Sequence, residues 1–445
     1  MESVDTLLHA RWVVPVEPDQ TIWEHHSVAI NQGRIHAIGP QREIRDRYQS
    51  NTEIELSEHV VIPGLVNAHT HAAMTLLRSY ADGLPLMEWL TQHIWPAEQR
   101  WVNDEFVHDG SQHAIAEMLR GGTTCFNDMY FFPEVTARVA SSAGIRASVG
   151  LILIDFPSAY GSGIDEYLEK GLALHDQYRN DRLVRTAFAP HTPYTVSDAP
   201  LERVRVLADE LEIPVHIHVH ETAEEVSNSV NEHGMRPLER LQKLGMVGPS
   251  LVSVHMTQLS DREIEQHAQA NAHVVHCPES NLKLASGFCP VQRLLEAGVN
   301  VALGTDGPAN NDDLDMLGEM RSAALLAKAV AQDASAVPAS TALRMATLNG
   351  ARALGFDREI GSLEAGKAAD LVAVRLDAIE TQPLYNPVSQ LVYSANRDGV
   401  TDVWVAGRHL LRERQLTTLD EEAIVVQSRH WAEKLKVRES SDAPT

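Results

Sequence analysis

The stretch Val60-Val61-Ile62-Pro63-Gly64-Leu65-Val66-Asn67-Ala68-His69-Thr70-His71 runs from apolar residues of strand character into a pair of histidines. A strand over Val60–Asn67 places that pair at its end, and the spacing of two puts both imidazoles on one face. Outward from it, β-rich runs recur at Thr123–Asp128, Arg146–Ile154, Val184–Ala189, Val215–Val219, Leu251–His255, His273–Cys277 and Val299–Gly304. The segments between them carry helix punctuation. Asn103-Asp104-Glu105 opens one helix and Gly121-Gly122 closes it; Pro133 suits a first turn, with Gly144 just past the end. Ser260-Asp261-Arg262-Glu263 has the spacing of a capping box. Eight strand–helix units between residues 59 and 355 predict an α/β fold, a (β/α)8 barrel of the TIM type. A doubly wound open sheet is the alternative, but no GxGxxG turn follows the first strand, so dinucleotide binding has no support.

The two ends of the chain read differently. Ser27–Ile30 and Arg34–Ile38 are short strands with Asn31-Gln32-Gly33 as turn material, and Asp370–Val374 and Asp402–Val405 repeat that style before Ala406-Gly407. The organisation expected is a catalytic barrel over 59–365 and a small β-sandwich domain formed by residues 1–58 together with 366–445. The polar tail from Glu439 to Thr445 is expected to fray.

Composition narrows the partners. The 445 residues are 44% hydrophobic and 22% charged, ordinary for a globular protein able to bury a large core. No segment approaches the ~18 uninterrupted apolar residues of a membrane span. Met1 to Asp5 has no basic stretch leading into an apolar run, so a cytoplasmic location is expected, with no membrane partner. Cys125, Cys277 and Cys289 lack CxxC spacing and suggest neither a disulfide framework nor a thiolate metal site. Asp and Glu number 61 against 37 Lys and Arg, and the net charge of -24 repels phosphate backbones, which excludes nucleic acid as a partner. Oligomeric state is left open, a homo-oligomer included.

A barrel of this kind gathers its chemistry at the C-terminal ends of its strands. Four such ends carry suitable residues: His69 and His71; His216-Ile217-His218-Val219-His220-Glu221; His255; and Gly304-Thr305-Asp306-Gly307. Singly each has an ordinary explanation. Strand-end histidines are often polar surface or hydrogen-bonded core, and an Asp after the last strand often caps a helix. All four at the same end of one barrel are better explained by a metal ion, since neutral imidazoles and a carboxylate suit zinc and leave a position open for water. Alternation along the strand does not choose among His216, His218 and His220.

Pro63 to His71, the HxxE of His218 to Glu221, His255 and Gly304 to Gly307 resemble the amidohydrolase superfamily, and more closely its 5'-methylthioadenosine/S-adenosylhomocysteine deaminase group. The resemblance continues through Met74-Thr75-Leu76-Leu77-Arg78, Glu88-Trp89-Leu90, Pro96-Ala97-Glu98, Pro190-His191-Thr192-Pro193-Tyr194, His276 to Leu284 and Gly361 to Asp370, nearly the full chain. It implies His69, His71, His218 and Asp306 as ligands of one Zn2+ per subunit, or of another divalent ion. Relatives with two metals carry a carbamylated lysine at the end of the fourth strand; Pro190-His191 stands there instead, which favours a single ion. It further implies Glu221 as the acid that protonates a purine ring nitrogen, Asp306 as the acceptor of a proton from the attacking water, and His255 as the group that orients that water. Glu98 would bind the ribose hydroxyls and His191 the purine. Trp89 fits either a wall against the 5' substituent or a core position.

The implied reaction is hydrolytic deamination of an adenine nucleoside with release of ammonia. A homocysteine tail carries a carboxylate, which calls for an arginine. Asp155-Phe156-Pro157-Ser158-Ala159-Tyr160 supplies none, so methylthioadenosine is expected ahead of S-adenosylhomocysteine, with adenosine also in range. A guanine-type base deaminase or triazine chlorohydrolase would share the metal ligands but have no use for a ribose-binding Glu98. A non-enzymatic assembly protein of the same fold would be expected to have lost ligands, and none is missing.

Overall fold

In the computed structural model, which describes residues 1–439, eight parallel strands follow one another in chain order. They are Leu65–Thr70 (β1), Thr123–Asp128 (β2), Arg146–Leu153 (β3), Val184–Pro190 (β4), Val215–Val219 (β5), Leu251–His255 (β6), His273–His276 (β7) and Asn300–Leu303 (β8). Almost every strand residue is buried, as a parallel sheet covered by helices on its outer face requires. The ring closes where β8 meets β1. Thr70 and Asp306 form a parallel bridge, and the Asp306 N–H donates to the His69 carbonyl at 3.0 Å. The Asn67 amide seals the same seam, donating to Thr305 Oγ1 (2.8 Å) and accepting from the Thr305 N–H (3.0 Å).

The strand expected over Val60–Asn67 is two strands. Glu53–Pro63 belongs to a second sheet, antiparallel to Leu371–Arg375 and parallel to Thr6–Val13, and only from Leu65 does the chain enter the barrel. Pro63 has no N–H with which to extend its ladder. Gly64 then crosses so close to Thr124 that a Cβ would lie 1.9 Å from Oγ1. One apolar run thus serves two sheets.

The second sheet is mixed, in the order Gln415–Leu416, Arg408–Arg412, Val400–Val405, Leu371–Arg375, Glu53–Pro63, Thr6–Val13, Trp23–Asn31 and Arg34–Pro40. Both ends of the chain feed one core, in which Leu8, Val28 and Ile35 pack with Val61, Leu371 and Trp404. A buried ion pair ties the sheet to the barrel, with Arg146 at the start of β3 gripping the Asp370 carboxylate at 3.0 and 3.1 Å.

The helices begin where their caps dictate. Asn103 Oδ1 accepts from the Phe106 N–H (2.9 Å) ahead of Asp104–Arg120, and Ser260 and Glu263 form a reciprocal capping box ahead of Asp261–Ala270. A helix over Glu421–Glu439 stands beyond the β-rich C-terminal segment. It docks on Asp104–Arg120, with the Trp431 ring edge-on to Phe106 at 5.2 Å and its indole N–H on Asp109 at 2.8 Å. Among the described residues no helix is long and apolar enough to cross a membrane. Of the tail expected to fray, residues 440–445 lie outside the described residues.

Candidate metal centre and active site

Four side chains converge at the C-terminal mouth of the barrel. His69 comes from within β1, His71 from just after it, His218 from β5 and Asp306 from just after β8, and their ligand atoms all lie within 4.8 Å of one another. His69 and His71 Nε2 stand 3.3 and 3.2 Å from Asp306 Oδ1, and His218 Nε2 stands 3.1 Å from His69 Nε2.

The other ring nitrogens show what this cluster is built to hold. His71 Nδ1 faces the Met129 carbonyl at 2.5 Å and His218 Nδ1 the His191 carbonyl at 2.8 Å. A carbonyl only accepts, so each Nδ1 carries the proton, and in the neutral ring, the form that ligates, each Nε2 turns a lone pair inward. His69 Nδ1 lies 2.8 Å from His216 Nε2, which makes the same assignment when His69 is the donor. Lone pairs would then oppose each other across 3.1 Å with a carboxylate beside them, an arrangement a bound cation resolves. Three imidazoles and one carboxylate are a donor set that fits zinc. Burial lowers His69 to about 4 and His218 well below the usual histidine range, so both are neutral at pH 7, the form that ligates.

The backbone is bent at these positions. His220, His255 and Asp306 have φ of 56°, 75° and 63°, left-handed values that cost a non-glycine residue about 1–3 kcal/mol each. Strand alternation puts all three histidines on one face, and the bend at His220, just past β5, takes only that one off it. His218 faces the centre, and His216 sits behind His69. His220 is turned out of register, and its Nε2 accepts from the Leu238 N–H at 3.1 Å.

Around the centre lies a cavity of about 250 Å3 whose lining includes His71, His191, His218, Glu221, His255 and Asp306 on one side and Trp89 and Glu98 on the other. His255 Nε2 is 3.8 Å from Asp306 Oδ2 and 3.9 Å from Glu221 Oε2. Burial raises the Glu221 carboxyl above the ordinary range, which favours its protonated form. Burial also raises Glu98, to about 7, against the pull of the nearby Tyr130 hydroxyl and His71. His191 is kept neutral by burial, lowered to about 3, and its Nδ1 is within 3.0 Å of Thr195 Oγ1. Trp89 is 4% exposed yet lines the cavity, so its wall and core positions are one and the same. His69, His71, His218, Asp306, His255, Glu221, His191, Glu98 and Trp89 therefore lie at or around this one cavity, whereas His216 and His220 do not line it.

The sequence reading missed the groups that aim these side chains. Ser280 Oγ and Asn310 Nδ2 each donate to Asp306 Oδ2 at 2.7 Å, and Asn281 Oδ1 faces His255 Nδ1 at 2.9 Å. Ser280 and Asn281 lie in a stretch whose family resemblance was visible, but nothing in their spacing gave them a role. The Met129 carbonyl left no signal, since any residue supplies one.

Residues 60–410 match the amidohydrolase family. A 5-methylthioadenosine/S-adenosylhomocysteine deaminase of Teredinibacter turnerae is 50% identical over 433 residues, covering 97% of this chain and 98% of its own. One from Saccharophagus degradans is 49% identical over 437 residues, covering 98% of each. Among solved structures, an adenosine deaminase from Xanthomonas campestris with bound zinc superposes with a TM-score of 0.97 at 55% identity, over 98% of this chain and 99% of that one. An atrazine chlorohydrolase from Arthrobacter aurescens, at 24% identity and a TM-score of 0.90 over 96% and 99%, shares the fold.

Proposed function

The chain belongs to the amidohydrolase family, in its 5-methylthioadenosine/S-adenosylhomocysteine deaminase group, and from that premise we propose that it deaminates 5'-methylthioadenosine to 5'-methylthioinosine and ammonia in preference to S-adenosylhomocysteine. The observation that carries the reading is one cavity with a His3Asp cluster and a buried carboxyl, Glu221, at one side and a second carboxyl, Glu98, at the other. His69, His71, His218 and Asp306 would hold a single Zn2+ per subunit. When bound, such an ion supplies Lewis acidity that brings the ionisation of water to near pH 7.

The chain's own groups then divide the work. Asp306 uses its two oxygens differently: Oδ1 faces His69 and His71, while Oδ2, fixed by Ser280 and Asn310, is the acceptor for a proton of the attacking water. His255, fixed by Asn281, stands between Asp306 and Glu221 and orients that water toward C6 of the purine. Glu221 delivers a proton to N1, which draws charge from C6 as the new C–O bond forms. The proton held by Asp306 passes to the amino group, the C–N bond breaks as the C6 hydroxyl becomes a carbonyl and gives its proton back to Glu221, and ammonia leaves. His191 hydrogen-bonds the purine, Glu98 accepts from the ribose hydroxyls, and Trp89 borders the remainder of the nucleoside.

The substrate preference rests on the far wall, where Leu86, Leu90, Trp95, Phe131, Phe156 and Pro157 are apolar. Among the described residues the lining includes no arginine or lysine to receive a homocysteine carboxylate. A thiomethyl group suits that wall. The identity with the Xanthomonas adenosine deaminase supports adenosine as a second substrate. Steady-state rates for the zinc-loaded protein on methylthioadenosine, S-adenosylhomocysteine, adenosine and guanine test the order. We expect the highest kcat/KM for methylthioadenosine and none for guanine; equal or better kcat/KM for S-adenosylhomocysteine would overturn the preference.

A further inference from the structure

The sequence Thr222-Ala223-Glu224-Glu225 has the spacing of a capping box at the head of the helix Ala223–His233. Thr222 Oγ1 accepts from the Glu225 N–H at 3.1 Å, as a cap should. The closest partners of the Glu225 carboxylate are not at Thr222. They lie further back, where Oε1 accepts from the His220 N–H at 3.0 Å and Oε2 from the Glu221 N–H at 2.7 Å.

Those two amides flank the bend at which β5 turns out of the barrel, with His220 at a φ of 56°. The opposite side of the bend is held by Thr257, whose N–H donates to the His220 carbonyl at 3.0 Å and whose hydroxyl donates to the Glu221 carbonyl at 2.7 Å. Each backbone polar group of Glu221 is thus gripped by a different side chain. A left-handed residue outside a glycine persists only where its surroundings over-determine it.

We propose that Glu225 is a positioning residue for the deamination: its carboxylate clamps the His220–Glu221 backbone and so aims the Glu221 carboxyl at the purine ring nitrogen. The inference rests on the reading of Glu221 as the proton donor. Thr222 caps the helix, and the two closest contacts of the Glu225 carboxylate fall on the bend. Both acceptors matter, since an amide at this position would turn its NH2 toward one of the two backbone N–H groups.

Glu225→Gln, Glu221→Gln, the double variant and Thr222→Ala, each loaded with zinc and assayed with methylthioadenosine, test it. In Glu225→Gln we expect kcat to fall about 10- to 100-fold, the scale of a displaced catalytic group, with KM within about 3-fold and zinc content unchanged. Glu225→Asp, which keeps a carboxylate but is shorter, should fall between Gln and wild type. In the Glu221→Gln background the Glu225 change should have little further effect on residual kcat, because the group it aims is gone. Thr222→Ala should lose thermal stability while keeping kcat. Unchanged kcat in both Glu225 variants, or a loss of the same size with and without Glu221, would overturn the positioning role. A Glu221→Gln enzyme that turns over like wild type would instead overturn the reading of Glu221. If Glu225→Gln does not fold, Glu225→Asp and its double variant with Glu221→Gln are read in the same way.

Discussion

Glu98 shows how far one side chain's surroundings set its chemistry. Burial raises its carboxyl to about 7, so it is ionised above that pH and protonated below it. Only the ionised form accepts from both ribose hydroxyls. KM for methylthioadenosine should therefore rise as the pH falls through about 7, and Glu98→Gln should flatten that rise while raising KM throughout. A KM independent of pH between 6 and 8 in the wild type would contradict the assignment. At this scale the sequence was most legible where residue type implies chemistry. His69, His71 and Asp306 stood out because few other roles gather such side chains at strand ends, whereas His218 was told from His216 and His220 only by the resemblance of His218 to Glu221 to the family's HxxE. The groups that orient them were not legible. His216 behind His69, Asn281 beside His255 and the Met129 carbonyl under His71 take their meaning from positions that only the folded chain creates.

At the scale of elements, the seam between β8 and β1 carries the most function. Gly304, after β8, passes His69 so closely that a Cβ would lie 2.8 Å from its backbone nitrogen and 2.9 Å from its own Cβ. Gly304→Ala must push His69 or Asp306 from its place. We expect zinc affinity, measured by competition with a chelator, to weaken about 10- to 100-fold, as when the supports of metal ligands are removed. An unchanged affinity would show that the seam yields without moving the ligands. Strand periodicity located β2 to β8 to within a residue or two, because each is a short apolar run bounded by turn residues. It misread Val60–Asn67 as one strand. Two consecutive apolar strands leave no polar residue between them, and only Pro63-Gly64 marks the change of sheet. The helix Glu421–Glu439 was missed because Ile424, Trp431 and Leu435 are its buried anchors and most of its other described positions face solvent.

At the scale of the whole molecule, the barrel and the sheet built from both termini are joined through Arg146 and Asp370, each about 1% exposed at its side chain. Removing one partner strands the other charge in the interior. Arg146→Ala should destabilise the protein by about 3–5 kcal/mol, read as a lower midpoint of thermal unfolding, while kcat of the folded enzyme changes little because the pair lies at the opposite end of β3 from the site. A variant as stable as wild type would show that the pair contributes no net stability. The joining of both termini in one β-rich unit was foreseen from turn style at both ends, though as a sandwich where the structure has one mixed sheet; the pair that locks it to the barrel was not foreseen, since 224 residues separate its members. The whole fold serves one reaction, and bound zinc and ammonia released from methylthioadenosine, measured in the same preparations of wild type and Glu221→Gln, test it. One zinc per chain is expected in both, with turnover by the wild type and a kcat at least about 100-fold lower in the variant. A wild-type protein that holds zinc yet releases no ammonia from any purine nucleoside would contradict it.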